Sequence, residues 1–117
     1  MTRAEVFTMI ESIGFPAAYN HFPDATAKPA PFICFYYPAS EDFMADDINY
    51  RKIEQLYIEL YTDEKDFSAE DAVESVLRSN CLPFRRSETY LDTEQMYLNL
   101  YTTEVIIDLT EVTNGGQ

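Results

Sequence analysis

Apolar residues recur along this chain with two different periods, and the change of period marks out its elements. Residues 55–62 read Gln-Leu-Tyr-Ile-Glu-Leu-Tyr-Thr, and residues 95–102 read Gln-Met-Tyr-Leu-Asn-Leu-Tyr-Thr. In the first segment Leu56, Ile58 and Leu60 alternate with Tyr57, Glu59 and Tyr61; in the second Met96, Leu98 and Leu100 alternate with Tyr97, Asn99 and Tyr101. A side-chain period of two sends the aliphatic set to one face of a strand and the other set to the opposite face. The spacing therefore predicts two strands of one sheet with an aliphatic face and a tyrosine face. Paired in register, they would gather Tyr57, Tyr61, Tyr97 and Tyr101, with Glu59 beside Asn99. The likeness of the two segments needs no duplication, because two strands of one sheet face the same demands.

Helical spacing appears twice. Thr2-Arg3-Ala4-Glu5 has the form of a capping box, in which the threonine hydroxyl and the glutamate carboxylate each take the other residue's backbone N–H. Val6, Met9, Ile10 and Ile13 then recur on one face, and Gly14 suits the position just past a helix end, so a helix is predicted over residues 3–13. Ser68-Ala69-Glu70-Asp71 places acids where the helix macrodipole favours them, and Ala72, Val73, Val76 and Leu77 form an apolar face, predicting a helix over 68–79.

Between the helices, residues 17–22 predict a short strand with Tyr19 and His21 on one side, and residues 23–31, with three prolines, a loop. The apolar run 32–37, ended by Pro38, predicts a strand covered on both faces. Residues 38–49 mix acidic turn residues, Asp46 and Asp47 among them, with Phe43 and Met44, and predict a loop or small hairpin that leaves the sheet and returns as the strand 51–62. Residues 84–90 predict a strand, held to an edge by Arg85-Arg86. The last strand, from 95, can continue through Val105-Ile106-Ile107. The expected fold is α+β: a single mainly antiparallel sheet with two α-helices packed on one face. One domain spans residues 1–109, and 110–117 is expected to be a flexible tail.

Charge sharpens this picture. The 117-residue chain has a net charge of −13, and residues 41–80 alone hold twelve acids against four bases. Such an excess argues against stable nucleic-acid binding, which needs clustered Lys and Arg. It suits a solvated surface, or one that repels DNA or meets a basic partner. No apolar run approaches the ~20 residues of a membrane-spanning helix, and the first residues lack a secretory signal, so a cytosolic protein is expected. Cys34 and Cys81 each lie in an apolar stretch and are expected to be buried free thiols.

Candidate chemistry is sparse. His21 is the lone histidine, the glycines form no phosphate-cradling turn, and Asp42, Asp46 and Asp47 lack the glycine and terminal glutamate of a calcium loop. No catalytic residue, metal or cofactor is expected. The tyrosine face can lie under the helices, in solvent or against another subunit, and tyrosine is enriched at interfaces because its ring buries area while its hydroxyl stays satisfied. Candidate interface residues are therefore Phe43, Met44, Asp46, Asp47, Tyr57, Glu59, Tyr61, Tyr97, Asn99 and Tyr101.

Taken in order, several features resemble small tail-completion proteins, akin to tail terminators, of tailed phages and prophages of Gram-positive bacteria. These are Gly14-Phe15-Pro16-Ala17-Ala18-Tyr19 with His21-Phe22, Pro31-Phe32-Ile33 with Tyr36 and Tyr37, and Phe43-Met44-Ala45-Asp46-Asp47 with Tyr50. Ile58-Glu59-Leu60-Tyr61-Thr62-Asp63, the acidic helix, and Met96-Tyr97 with Leu100-Tyr101 complete the set, over residues 3–107. Asp47 departs from the pattern, which has a glycine in that turn. The resemblance implies a similar α+β fold and a ring of copies, possibly a hexamer. That ring would cap the tail tube, contact the tube protein and the head connector, and pass from host cytoplasm into the virion. It also gives the acidity a use, since a lumen that conducts DNA without holding it should be negative. Another neck component, such as a connector or stopper, and a small acidic DNA mimic are the rival readings.

Overall fold

The computed structural model describes residues 1–21, 29–44 and 50–108. In chain order they form α1 (Arg3–Glu11), β1 (Ala17–Tyr19), β2 (Phe32–Tyr36), β3 (Ser40–Met44), β4 (Tyr50–Thr62), α2 (Phe67–Ser79), β5 (Arg85–Leu91) and β6 (Met96–Asp108). The six strands make one sheet in the order β1-β2-β4-β6-β5, with β3 paired to the half of β4 that β2 leaves free. The sheet is mixed: β1 runs parallel to β2, while the other pairings are antiparallel. The expectation of an antiparallel sheet is thus only partly right. A parallel pair needs a connection longer than a tight turn, and residues 20–31 separate the two strands in the sequence. Asn20, at φ 68°, ends β1 well before residue 22.

Both helices lie on one face of the sheet. Val6, Met9 and Ile10 of α1 and Val73 and Leu77 of α2 share one core with Ile33, Phe35, Leu56, Ile58 and Leu60. The capping box of α1 is present, with Glu5 N–H to Thr2 Oγ1 at 3.1 Å and Thr2 N–H to Glu5 Oε1 at 2.8 Å. Gly14, at φ 106°, lets the chain turn away after the last turn. In α2 the cap is Asp66 instead of the Ser68 signal: its carboxylate takes Ala69 N–H at 3.0 Å, and the helix begins at Phe67. Buried Glu54 on β4 is held by the Arg3 guanidinium at 2.6 Å, which ties α1 to the sheet.

Of the loop or small hairpin expected over 38–49, the described part takes the hairpin form, and residues 45–49 lie outside the described residues. Ser40–Met44 is a sheet strand that pairs residue by residue with β4, from Ser40 opposite Glu54 to Met44 opposite Tyr50. β5 is an edge strand, bonded to β6 alone, and carries an exposed polar row from Arg85 to Tyr90. The tail expected over 110–117 falls outside the described residues. Among the described residues no helix is long and apolar enough to cross a membrane.

α2 ends in a Schellman motif: Leu82 N–H reaches Leu77 C=O at 2.9 Å and Cys81 N–H reaches Arg78 C=O at 3.0 Å. This geometry puts Cys81 at φ 59°, in the left-handed region where a Cβ is strained and glycine is not. Cys81 is also exposed, so its thiol contributes no packing, contrary to the expectation of a buried cysteine. Cys81→Gly should therefore raise stability by about 1 kcal/mol. Urea unfolding tests this: the midpoint should rise at unchanged slope, and a lower midpoint would contradict the account.

Candidate functional site

The face of the sheet away from the helices carries the candidate site, and strand register decides which residues lie on it. β4 and β6 pair as Tyr57 with Thr102, Ile58 with Tyr101, Glu59 with Leu100, Leu60 with Asn99 and Tyr61 with Leu98. Partners across an antiparallel pair share a face. Tyr57, Glu59 and Tyr61 thus stand with Leu98, Leu100 and Thr102 on the uncovered face, while Tyr97, Asn99 and Tyr101 point to the helix side. The expectation that the four tyrosines share a face, with Glu59 beside Asn99, is wrong by one residue of register.

The cause lies further along β6. Val105 and Ile107 occupy core positions, 2% and 1% exposed, on the same side as Tyr101. An unbroken strand can bury only one parity, and this pair sets it. Asn99 and Tyr101, fully buried, must then find polar partners under α2. Asn99 takes Arg86 Nη1 on its Oδ1 at 2.6 Å and gives its amide to Glu70 Oε2 at 3.3 Å. The Tyr101 hydroxyl donates to Glu74 Oε2 at 3.0 Å. Glu70, itself buried, is neutralised by Lys65 at 2.6 Å. Tyr97 rests edge-on against Tyr90, with ring centroids 5.0 Å apart.

On the uncovered face, β2, β4, β6 and β5 align three rows. Phe32, Tyr61, Leu98 and Thr89 form the first; Cys34, Glu59, Leu100 and Ser87 the second; Tyr36, Tyr57, Thr102 and Arg85 the third. Phe32 stacks on Tyr61 at 4.8 Å and Tyr36 tilts against Tyr57 at 5.5 Å, so an aromatic pair stands on either side of Glu59. Glu59 Oε1 accepts the Tyr61 hydroxyl at 2.8 Å and Oε2 accepts that of Tyr36 at 3.3 Å. Burial, reinforced by the adjacent carboxylate, pushes both phenols above the ordinary tyrosine range, so they remain proton donors. A cleft of about 530 Å³ opens beside Tyr57, Thr102 and Arg85.

Sequence reasoning found Tyr57, Glu59 and Tyr61 but missed Phe32, Tyr36, Leu98 and Leu100. The run 32–37 was expected to be covered on both faces. Ile33 and Phe35 are under the helices and Cys34, on the opposite face, is buried too, whereas Phe32 and Tyr36 are only half-buried, by neighbouring rings. Phe43 and Met44 lie on β3 opposite Arg51 and Tyr50, and Asp46 and Asp47 lie outside the described residues. His21 is exposed, just beyond β1. Among the described residues no group of three or more metal-binding side chains is gathered. The arrangement offers an apolar, hydrogen-bonding contact surface. No protein-family model matches the sequence, and no curated protein is significantly similar to it.

Two tests follow from the register. Tyr101→Asp should unfold the domain, since it removes a buried ring and leaves a buried charge, at a cost of about 3–5 kcal/mol or more. Tyr57→Asp should stay folded, losing about 1 kcal/mol or less of cross-strand contact. Circular dichroism during thermal unfolding separates the two, and equal losses would contradict the assignment of faces.

A second outcome concerns alkaline pH. Burial raises Tyr37 to about 12 and lifts Tyr61 and Tyr101 further. Because these folded-state values exceed the unfolded ~10, their stabilisation is whole below pH ~10 and is lost as pH climbs beyond it. Denaturation midpoints should hold steady to about pH 10 and then fall, with phenolate absorbance lagging that of free tyrosine; an unshifted tyrosine titration would contradict this.

Proposed function

We propose that this chain is a structural subunit of a phage tail or neck, a terminator-like tail-completion protein that assembles with copies of itself on the tail tube and meets the head connector. The observation that carries this reading is the uncovered sheet face. A domain of this size has placed both helices on one side and left Phe32, Tyr36, Tyr57, Tyr61, Leu98 and Leu100 on the other. Half-buried aromatic pairs, with the Tyr36 and Tyr61 hydroxyls satisfied by Glu59, suit a surface awaiting a protein partner. The ordered resemblance over residues 3–107 supplies the kind of partner, and the α+β layout agrees with it. The surplus of acids suits a conduit that passes DNA without retaining it. The reaction required of such a protein is assembly.

The test is a particle reconstruction paired with a gene deletion in the phage or prophage that encodes the chain. Density for this fold is expected at the head-proximal end of the tube, and deletion should give tubes of irregular length that fail to join heads. Density one layer nearer the head would move the assignment to a connector or stopper. A protein absent from particles, with tails normal after its deletion, would refute the proposal.

A further inference from the structure

Within the three rows of the uncovered face, the charged side chains are Glu59, near the middle, and Arg85, at a corner. Neither makes an ion pair among the described residues, although neighbouring Arg86 is engaged by Glu70, Glu88 and Asn99. Each Glu59 oxygen receives one phenol proton and keeps acceptor capacity for another donor. Register puts Arg85 two strands across from Glu59 and two residues along, roughly 10 Å by 7 Å. The other twenty of the 21 acids lie outside these rows, eight of them in α2, in the segment leading into it and in the β5–β6 turn.

We propose that this face docks on the same face of a second copy of the chain, with Arg85 of each copy seated on Glu59 of the other. A two-fold axis lying between the sheets, midway between Glu59 and Arg85 and perpendicular to the line joining them, exchanges their positions, so both pairs form at once. The guanidinium meets the free acceptor sites of the carboxylate and lies between the Phe32–Tyr61 and Tyr36–Tyr57 ring pairs. Leu98 and Leu100 lie in the strand between Glu59 and Arg85 and meet their counterparts near the axis. Charge selects this occupant. Two chains of −13 repel over most of their surfaces, whereas these three rows bring one positive and one negative charge to each copy and match them crosswise. The inference rests on reading the face as a contact surface and names its partner.

Sedimentation equilibrium on the whole chain tests it. The wild type should form pairs. Arg85→Glu and Glu59→Arg should each weaken association about 30-fold or more, because each breaks both pairs, and the double variant should recover most of the loss. Circular dichroism checks that each variant is folded; if Glu59→Arg is not, Glu59→Gln and Arg85→Gln replace the swap, and each should still weaken pairing. Singles that pair like the wild type, a folded double variant that stays apart, or a wild type monomeric at several hundred micromolar would overturn the proposal. Particle reconstruction decides the tail-completion reading separately: a monomer that still occupies the tube end removes this contact and leaves that reading intact.

Discussion

A single parity constraint organises this domain. β6 runs from Met96 to Asp108 without a break, and its far half presents Val105 and Ile107 to the core. A strand alternates strictly, so the same choice turns Tyr97, Asn99 and Tyr101 inward and Met96, Leu98 and Leu100 outward. The near half of the strand taken alone would prefer the reverse. Burying Val105 and Ile107 at their end, together with a large aromatic ring at Tyr101, outweighs burying three smaller aliphatic residues, provided that the polar atoms brought inside are satisfied.

Satisfying them positions α2. Asn99 and Tyr101 need partners, and Glu70 and Glu74, one turn apart on the inner side of α2, provide them. Glu70 is costly to bury as an ion and is retained with Lys65, Asn99 and Arg86 around it. The network is therefore a means of fixing one helix over one strand register more than a source of net stability. Its counterpart is the other face. The aliphatic residues expelled from the core join Tyr57 and Tyr61, and an apolar surface results where a solvated sheet face would normally be polar.

Much of the architecture could be read from local patterns. The Thr2–Glu5 box, the apolar stripe of α2, the alternation of β4 and the edge position marked by Arg85-Arg86 each depend on a few neighbouring residues, and each appears in the structure. What escaped depended on competition between distant positions. The apolar sets 96/98/100 and 105/107 differ in parity, a conflict visible in the sequence once 95–107 is treated as one strand, but its outcome is decided by what packs above. The parallel β1–β2 pair joins strands far enough apart in sequence to run either way, and no period encodes their relative direction. The Asp66 cap was hidden by a plausible alternative two residues later, and Cys81 stands in the left-handed conformation where glycine is the usual signal. The same local bias shaped the site: Tyr57, Glu59 and Tyr61 were found from one strand's alternation, whereas their neighbours Leu98 and Leu100 are known only from the pairing.

The register of β4 against β6 carries both the buried network and the exposed face, and it can be measured without reference to function. Cross-strand NOEs in isotopically labelled protein report it directly. The account expects Glu59 to contact Leu100, Tyr61 to contact Leu98 and Ile58 to contact Tyr101, with Tyr101 ring protons close to α2. Contacts of Glu59 with Asn99 and of Leu60 with Leu98, with the Tyr101 ring on the solvent side, would contradict it.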